Sequence, residues 1–260
     1  MNGLASRLEE RRAGGRKLLV PYVMGGIPDR ASFPEVMAAA AEHADALEVG
    51  LPFSDPLMDG PVIADAGERA MSSGTGPLDA LELAAQAQVG APKIAMTYYN
   101  PIHRIGEVEF CERAAAAGFA GLIVPDIPVE ESESLRKAAG DRALSWIPLV
   151  APTSSARRVA DIVATATGFV YAVSTLGVTG ARESLSERAA RVVAACREAT
   201  DAPVVVGIGV SNAVQAVEAT RSADGVVIGS ALVDLVLRAG PEAAREFLAG
   251  VRSALDDAAG

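Results

Sequence analysis

The chain has 260 residues, with 33 acidic and 23 basic side chains and a formal net charge of −10. A surface of that sign repels phosphate backbones and anionic lipid, which argues against nucleic acid or a membrane surface as a partner. Half of the residues are apolar and only 4% are aromatic, so a sizeable core is available and Ala, Val, Leu and Ile must build it.

From the start, residues 1–15 alternate charge with Ala and Leu and lack the apolar segment of a secretory leader. They read as an extra N-terminal helix. A unit then repeats: a short Val/Ile/Leu-rich run ends in Gly, Pro, Asp or Ser, and a segment of helical period follows. The strand-like runs are 17–23, 46–49, 92–96, 121–124, 146–150, 168–173, 204–206 and 225–228. The helical segments are 32–42, 77–89, 107–117, 130–139, 155–164, 184–199 and 211–218, then 230–237 and 241–255 at the end. Ser32, Ser184 and Ser211 are the expected N-caps. Residues 162–181 carry no charge, but their three glycines and several Thr and Ser divide them into strand, turn and loop, not a membrane span. Cys111 and Cys196 lie far apart in helical segments, which suggests neither a disulfide nor a zinc site and fits a reducing, cytoplasmic setting.

Eight strand–helix units in this length predict a single (β/α)₈ barrel domain over 1–260 with a short helix after strand eight, ahead of a doubly wound open sheet. In such a barrel, chemistry sits at the C-terminal ends of the strands. Glu48 lies within its strand, flanked on the same face by Ala46 and Gly50, where a carboxyl has room and partial burial would raise its pKa. The loop Pro52–Pro61 brings Asp59 within folding-back distance of the same mouth, as a turn residue or as a second carboxylate. Gly177-Val178-Thr179-Gly180, Gly207-Ile208-Gly209 and Gly229-Ser230 close strands six, seven and eight, and the helix opened by Ser230 offers free N–H groups to an anion.

Absences narrow the chemistry. His43 and His103 are too far apart for a metal site, and Lys17, Lys93 and Lys137 stand at strand starts or on a helix, away from any Schiff-base position. Acid–base work by carboxylates on a phosphorylated substrate remains.

The run from Leu47 to Pro61, reading LEVGLPFSDPLMDGP, resembles the signature of the tryptophan synthase alpha subunit. The likeness continues through Tyr99-Asn100-Pro101, Pro125-Asp126-Ile127-Pro128-Val129-Glu130-Glu131, Tyr171-Ala172-Val173-Ser174 and the three glycine clusters, over nearly the whole chain. It implies retro-aldol cleavage of indole-3-glycerol phosphate to indole and glyceraldehyde 3-phosphate. Glu48 matches the family's general acid/base and Asp59 the carboxylate that accepts the indole N–H. Tyr171 and Thr179 match substrate-side residues, and Gly180, Gly209, Gly229 and Ser230 match the phosphate binders. Asp55, Asn100, Pro101 and Pro128, expected in loops on one barrel face, match contacts to a beta subunit in an α₂β₂ assembly. The implied pyridoxal phosphate belongs to that beta subunit, with no cofactor or metal in this chain. Ile27 and Ala64 depart from the family pattern near that face. A stand-alone lyase of the same chemistry, a weakly catalytic regulatory subunit and a sugar-phosphate isomerase are the competing readings.

Overall fold

In a computed structural model, which describes residues 3–173, 185–207 and 209–259, the alternation of strands and helices closes into a parallel β-barrel. The strands are β1 (Leu18–Met24), β2 (Leu47–Gly50), β3 (Lys93–Met96), β4 (Phe119–Ile123), β5 (Ser145–Trp146), β6 (Leu149–Val150), β7 (Val170–Val173), β8 (Val204–Gly207) and β9 (Gly225–Ile228). Their order is β5-β4-β3-β2-β1-β9-β8-β7-β6, and every pair is parallel.

The predicted strand 146–150 is divided. Pro148 has no N–H to give a ladder, so pairing breaks beside it. β5 continues the β4 edge, with Ile147 N–H donating to the Leu122 carbonyl at 3.1 Å. β6 continues the β7 edge, with Tyr171 N–H donating to the Pro148 carbonyl at 3.0 Å. β5 and β6 are therefore two halves of one barrel strand, and that strand joins both ends of the order. The nine segments make eight barrel positions, as the repeat predicts.

The strands are almost wholly buried, packed between the barrel interior and the surrounding helices. Those helices are α2 (Phe33–Ala41), α3 (Pro61–Ser72), α4 (Pro77–Gln86), α5 (Tyr99–Ile105), α6 (Glu107–Ala116), α7 (Glu133–Gly140), α8 (Ala156–Val163), α9 (Leu185–Arg197), α10 (Ala213–Thr220) and α11 (Ser230–Asp257). α11 is broken at Gly240, whose φ of 79° only glycine adopts cheaply, so the two terminal helices read from the sequence are both present. No described helix is long and apolar enough to cross a membrane.

The extra N-terminal helix, α1 (Gly3–Ala13), closes the bottom of the barrel. Leu4 and Leu8 are fully buried, each contributing about 1.5–3 kcal/mol of apolar burial. Small residues make room for the plug. A Cβ at Gly121 would stand 3.0 Å from Leu4 Cδ2, and one at Gly168 would stand 3.4 Å away.

Beside this floor, Asp45 is 1% exposed and accepts hydrogen bonds from Leu19 N–H at 2.9 Å, Arg16 Nε at 2.9 Å and Arg252 Nη1 at 3.4 Å. One carboxylate thus ties β1, the entry to β2 and the last helix together. Arg252 is itself buried but also meets the Lys17 carbonyl at 2.7 Å and Asp256 at 2.6 Å, so Asp45→Ala removes buried hydrogen bonds without stranding the guanidinium and should lower unfolding free energy by about 1–3 kcal/mol, read as a fall in the urea midpoint.

Several local expectations change. Ser32 is already in helical conformation and makes no cap. Asp29 takes that place, accepting from the N–H groups of Ala31 and Ser32 at 2.9 Å each. Ser211 gives way to Asn212, whose Oδ1 accepts from Gln215 N–H at 3.0 Å. Ser184 lies outside the described residues. The segment after Gly60 is not only loop: Pro61 opens α3, where a missing N–H costs nothing. His103, Asn100 and Pro101, read as loop residues, sit on α5.

Candidate active site

Glu48 stands on β2 two residues before its C-terminal end, between Tyr22 of β1 and Ile94 of β3 in register. Register neighbours face the same way, so Glu48 and Tyr22 both project into the barrel mouth. Glu48 is 1% exposed, and its Oε2 has no hydrogen-bond partner among the described residues. Burial, with a smaller contribution from the charge of Asp59, lifts its carboxyl to about 8. At neutral pH it therefore carries a proton.

Asp59 does fold back over the mouth. Residues 51–60 leave β2 as a loop pinned by short bonds, Leu57 N–H to the Asp55 carbonyl at 2.9 Å and Asp59 N–H to the Pro56 carbonyl at 3.0 Å. The Tyr98 hydroxyl anchors the loop by accepting from Met58 N–H at 3.0 Å and lies within hydrogen-bonding reach of the Asp59 carboxylate. Burial raises Asp59 to about 6, and Tyr98 restrains the rise by favouring the ionised form. The two carboxyls are thus set apart by environment, one protonated and one ionised between about pH 6 and pH 8.

Beside Asp59 and Tyr22 lies a narrow cleft, walled by Met24, Leu51, Phe53, Ile63, Met96 and the Tyr98 ring. Phe53 and Tyr98 pack with ring centroids 5.3 Å apart. Such walls suit a flat aromatic body, and Asp59 is the acceptor at its edge. Thr97 also lines the cavity, with a buried hydroxyl that has no partner among the described residues.

Two tyrosines lean across the mouth over glycines of neighbouring strands. A Cβ at Gly50 would stand 1.9 Å from the Tyr22 hydroxyl, and one at Gly207 would stand 2.4 Å from that of Tyr171. Burial and the charges of Glu48 and Asp59 push both phenols well above their ordinary value, so both remain donors. Tyr171 lies on β7 within reach of the charges of Glu48 and Asp59. Tyr22 and Tyr98 were not expected: Tyr22 sits in an apolar run, where a tyrosine reads as core, and Tyr98 in the short Thr97-Tyr98-Tyr99-Asn100 stretch past β3, which reads as a turn. Only the register with Glu48 and the folded loop reveals them.

The phosphate candidates divide. Gly209 follows β8 with φ 65°, and Gly229 and Ser230 join β9 to α11. Leu232 and Val233 donate to the Gly229 carbonyl, which leaves the N–H groups at the very start of α11 outside the helical ladder and facing the strand ends. Thr179 and Gly180 lie outside the described residues. Of the residues matched to a partner surface, Asp55, Asn100 and Pro128 are exposed and Pro101 is buried at the base of α5. They share one connected rim. Met58 binds Tyr98, and Tyr99 N–H donates to Asp126 at 2.8 Å, so the 51–60 loop, α5 and the 125–128 loop are fastened in series.

The sequence model of the family described as tryptophan synthase alpha chain matches residues 8–255. The chain belongs to that family. Among its relatives, the tryptophan synthase alpha chain of Carboxydothermus hydrogenoformans is 45% identical over 239 residues, covering 91% of this chain and 90% of that protein. The alpha chain of Synechococcus elongatus is 41% identical and covers 98% of both. In three dimensions, the chain resembles a chain of Mycobacterium tuberculosis tryptophan synthase with a TM-score of 0.90 and 38% identity, covering 98% of each. It also resembles tryptophan synthase subunit alpha from Legionella pneumophila, with a TM-score of 0.90, 31% identity and 99% of each chain covered. Ile27, in the loop that follows β1, is an apolar core residue, 3% exposed.

Proposed function

We propose that this chain is a lyase that cleaves indole-3-glycerol phosphate to indole and glyceraldehyde 3-phosphate, as the alpha subunit of tryptophan synthase. The observation that carries the mechanism is the pair of carboxyls at the barrel mouth, Glu48 held at about 8 within reach of the charge of Asp59, and Asp59 at about 6 on the wall of the aromatic-lined cleft. Protonated Glu48 gives its proton to C3 of the indole. The resulting indolenine is cationic at nitrogen, and ionised Asp59 accepts the N–H and stabilises that charge. Glu48, now a carboxylate, takes the proton of the alcohol on the carbon attached to C3. The C–C bond then breaks, its electron pair restores the indole ring, and the alcohol carbon becomes the aldehyde. Glu48 ends the cycle protonated, so one residue serves as acid and then as base.

Gly209, Gly229, Ser230 and Gly180 hold the phosphate by backbone N–H groups, which suits an anionic ligand on a chain of net charge −10. Tyr171 and Thr179 contact the substrate. The whole chain works as one barrel domain in the cytoplasm, without a cofactor of its own. The beta subunit, which carries pyridoxal phosphate, docks on the rim bearing Asp55, Asn100, Pro101 and Pro128 in an α₂β₂ complex.

This division of labour predicts a bell-shaped dependence of kcat/KM on pH. The rate rises as Asp59 ionises near 6 and falls as Glu48 loses its proton near 8. Indole release measured from pH 5 to pH 9.5 checks it. A flat profile across that interval counts against the assignment of the two roles.

A further inference from the structure

The barrel mouth holds a donor without a strong acceptor beside an acceptor without a donor. Among the described residues the Tyr22 hydroxyl has one hydrogen-bond partner, Met24 Sδ at 4.0 Å, and a thioether is a weak acceptor. Glu48 Oε2 is buried and unpartnered among the described residues. The two residues are register neighbours, 5% and 1% exposed, and no hydrogen bond joins them. Leaving such groups buried and unsatisfied costs about 1–3 kcal/mol each. The placement of the hydroxyl is also specific, because any side chain at Gly50 would collide with it. One kind of group satisfies both atoms at once. An alcohol accepts from Tyr22 through its oxygen and donates its proton to Glu48.

We propose that Tyr22 is a further catalytic residue, whose hydroxyl donates a hydrogen bond to the substrate alcohol that Glu48 deprotonates. The inference rests on the cleavage reaction given above and deepens it. As the alcohol proton passes to Glu48, negative charge builds on the oxygen before its lone pair forms the C=O bond and the C–C pair returns to the ring. The Tyr22 O–H meets that charge and keeps its own proton throughout, so one proton moves and none is left over. The strongly raised phenol fits a donor and rules out a base.

Tyr22→Phe keeps the ring and removes only the donor. We expect kcat for indole release to fall about tenfold to a hundredfold. The comparison ligand is 3-(indol-3-yl)propyl phosphate, in which hydrogens replace both alcohols; its Kd should be the same for the variant and the wild type. Gly50→Ala, which displaces the hydroxyl without deleting it, should lower kcat similarly. The proposal is overturned if Tyr22→Phe stays within about twofold of wild-type kcat. It is equally overturned if the deoxy ligand loses affinity in step with kcat, since that places the effect in cavity packing. A wild-type chain that releases no indole overturns the cleavage reading itself, a result distinct from an active wild type beside an unaffected Tyr22→Phe.

Discussion

Glu48→Gln should lower indole release from indole-3-glycerol phosphate by about 10²- to 10⁴-fold, the range for loss of a positioned general acid–base group. Gln has the shape of the protonated carboxyl and fits the same buried slot on β2, but it can neither give a proton to C3 nor take one from the alcohol. The loss should appear in kcat, with substrate affinity nearly unchanged, because phosphate and aromatic contacts are made elsewhere. Stability should move the opposite way. The folded carboxyl sits near 8, above its unfolded value, so between about pH 4.5 and pH 8 the folded chain binds one more proton than the unfolded chain. Stability therefore falls across that interval by up to about 1.4 kcal/mol per pH unit and levels off above it. Glu48→Gln removes this slope, so its thermal midpoint should exceed that of the wild type at pH 8 and match it near pH 4. Thermal denaturation at the two pH values, beside the activity assay, separates a chemical loss from a folding defect.

Asp59→Asn should cost about 10²- to 10³-fold in kcat, as removal of a preorganised electrostatic partner does elsewhere. An amide oxygen can still accept the indole N–H, but it brings no charge to set against the indolenine cation. The residual activity should lose the limb of the pH profile near 6 and keep the limb near 8, because Glu48 is the member of the pair that still titrates. Loop geometry should persist, since Met58 N–H still binds the Tyr98 hydroxyl. A variant that retains both limbs would assign the lower one to another group.

Much of the fold was legible because parallel barrel strands, buried on both faces, print themselves as apolar runs ended by Gly, Pro or Asp. The division at Pro148 was passed over in the run 146–150, although a proline inside a central strand interrupts its ladder. α3 was hidden by its neighbours: Asp59-Gly60-Pro61 reads as loop, although Pro after Gly is equally a helix start. α5 is short and contains Pro101, so period alone could not separate it from a turn. At the site, Glu48 stood out because a carboxyl in an apolar strand needs a reason. Tyr22 did not, because LLVPYVM gives no contrast of period or polarity. Its place over Gly50 depends on cross-strand register, which no local pattern encodes. Tyr98 was likewise hidden until the 51–60 loop was seen folded onto it.

The central claim is that two carboxyls on one barrel mouth break the bond between indole and its glycerol phosphate side chain. The most direct measurement is product formation by the purified chain at pH 7, alone and with a beta subunit, following indole and glyceraldehyde 3-phosphate together. The account predicts equal molar amounts of both, with Glu48→Gln and Asp59→Asn near background. No indole from the wild-type chain, with or without the beta subunit, would contradict it.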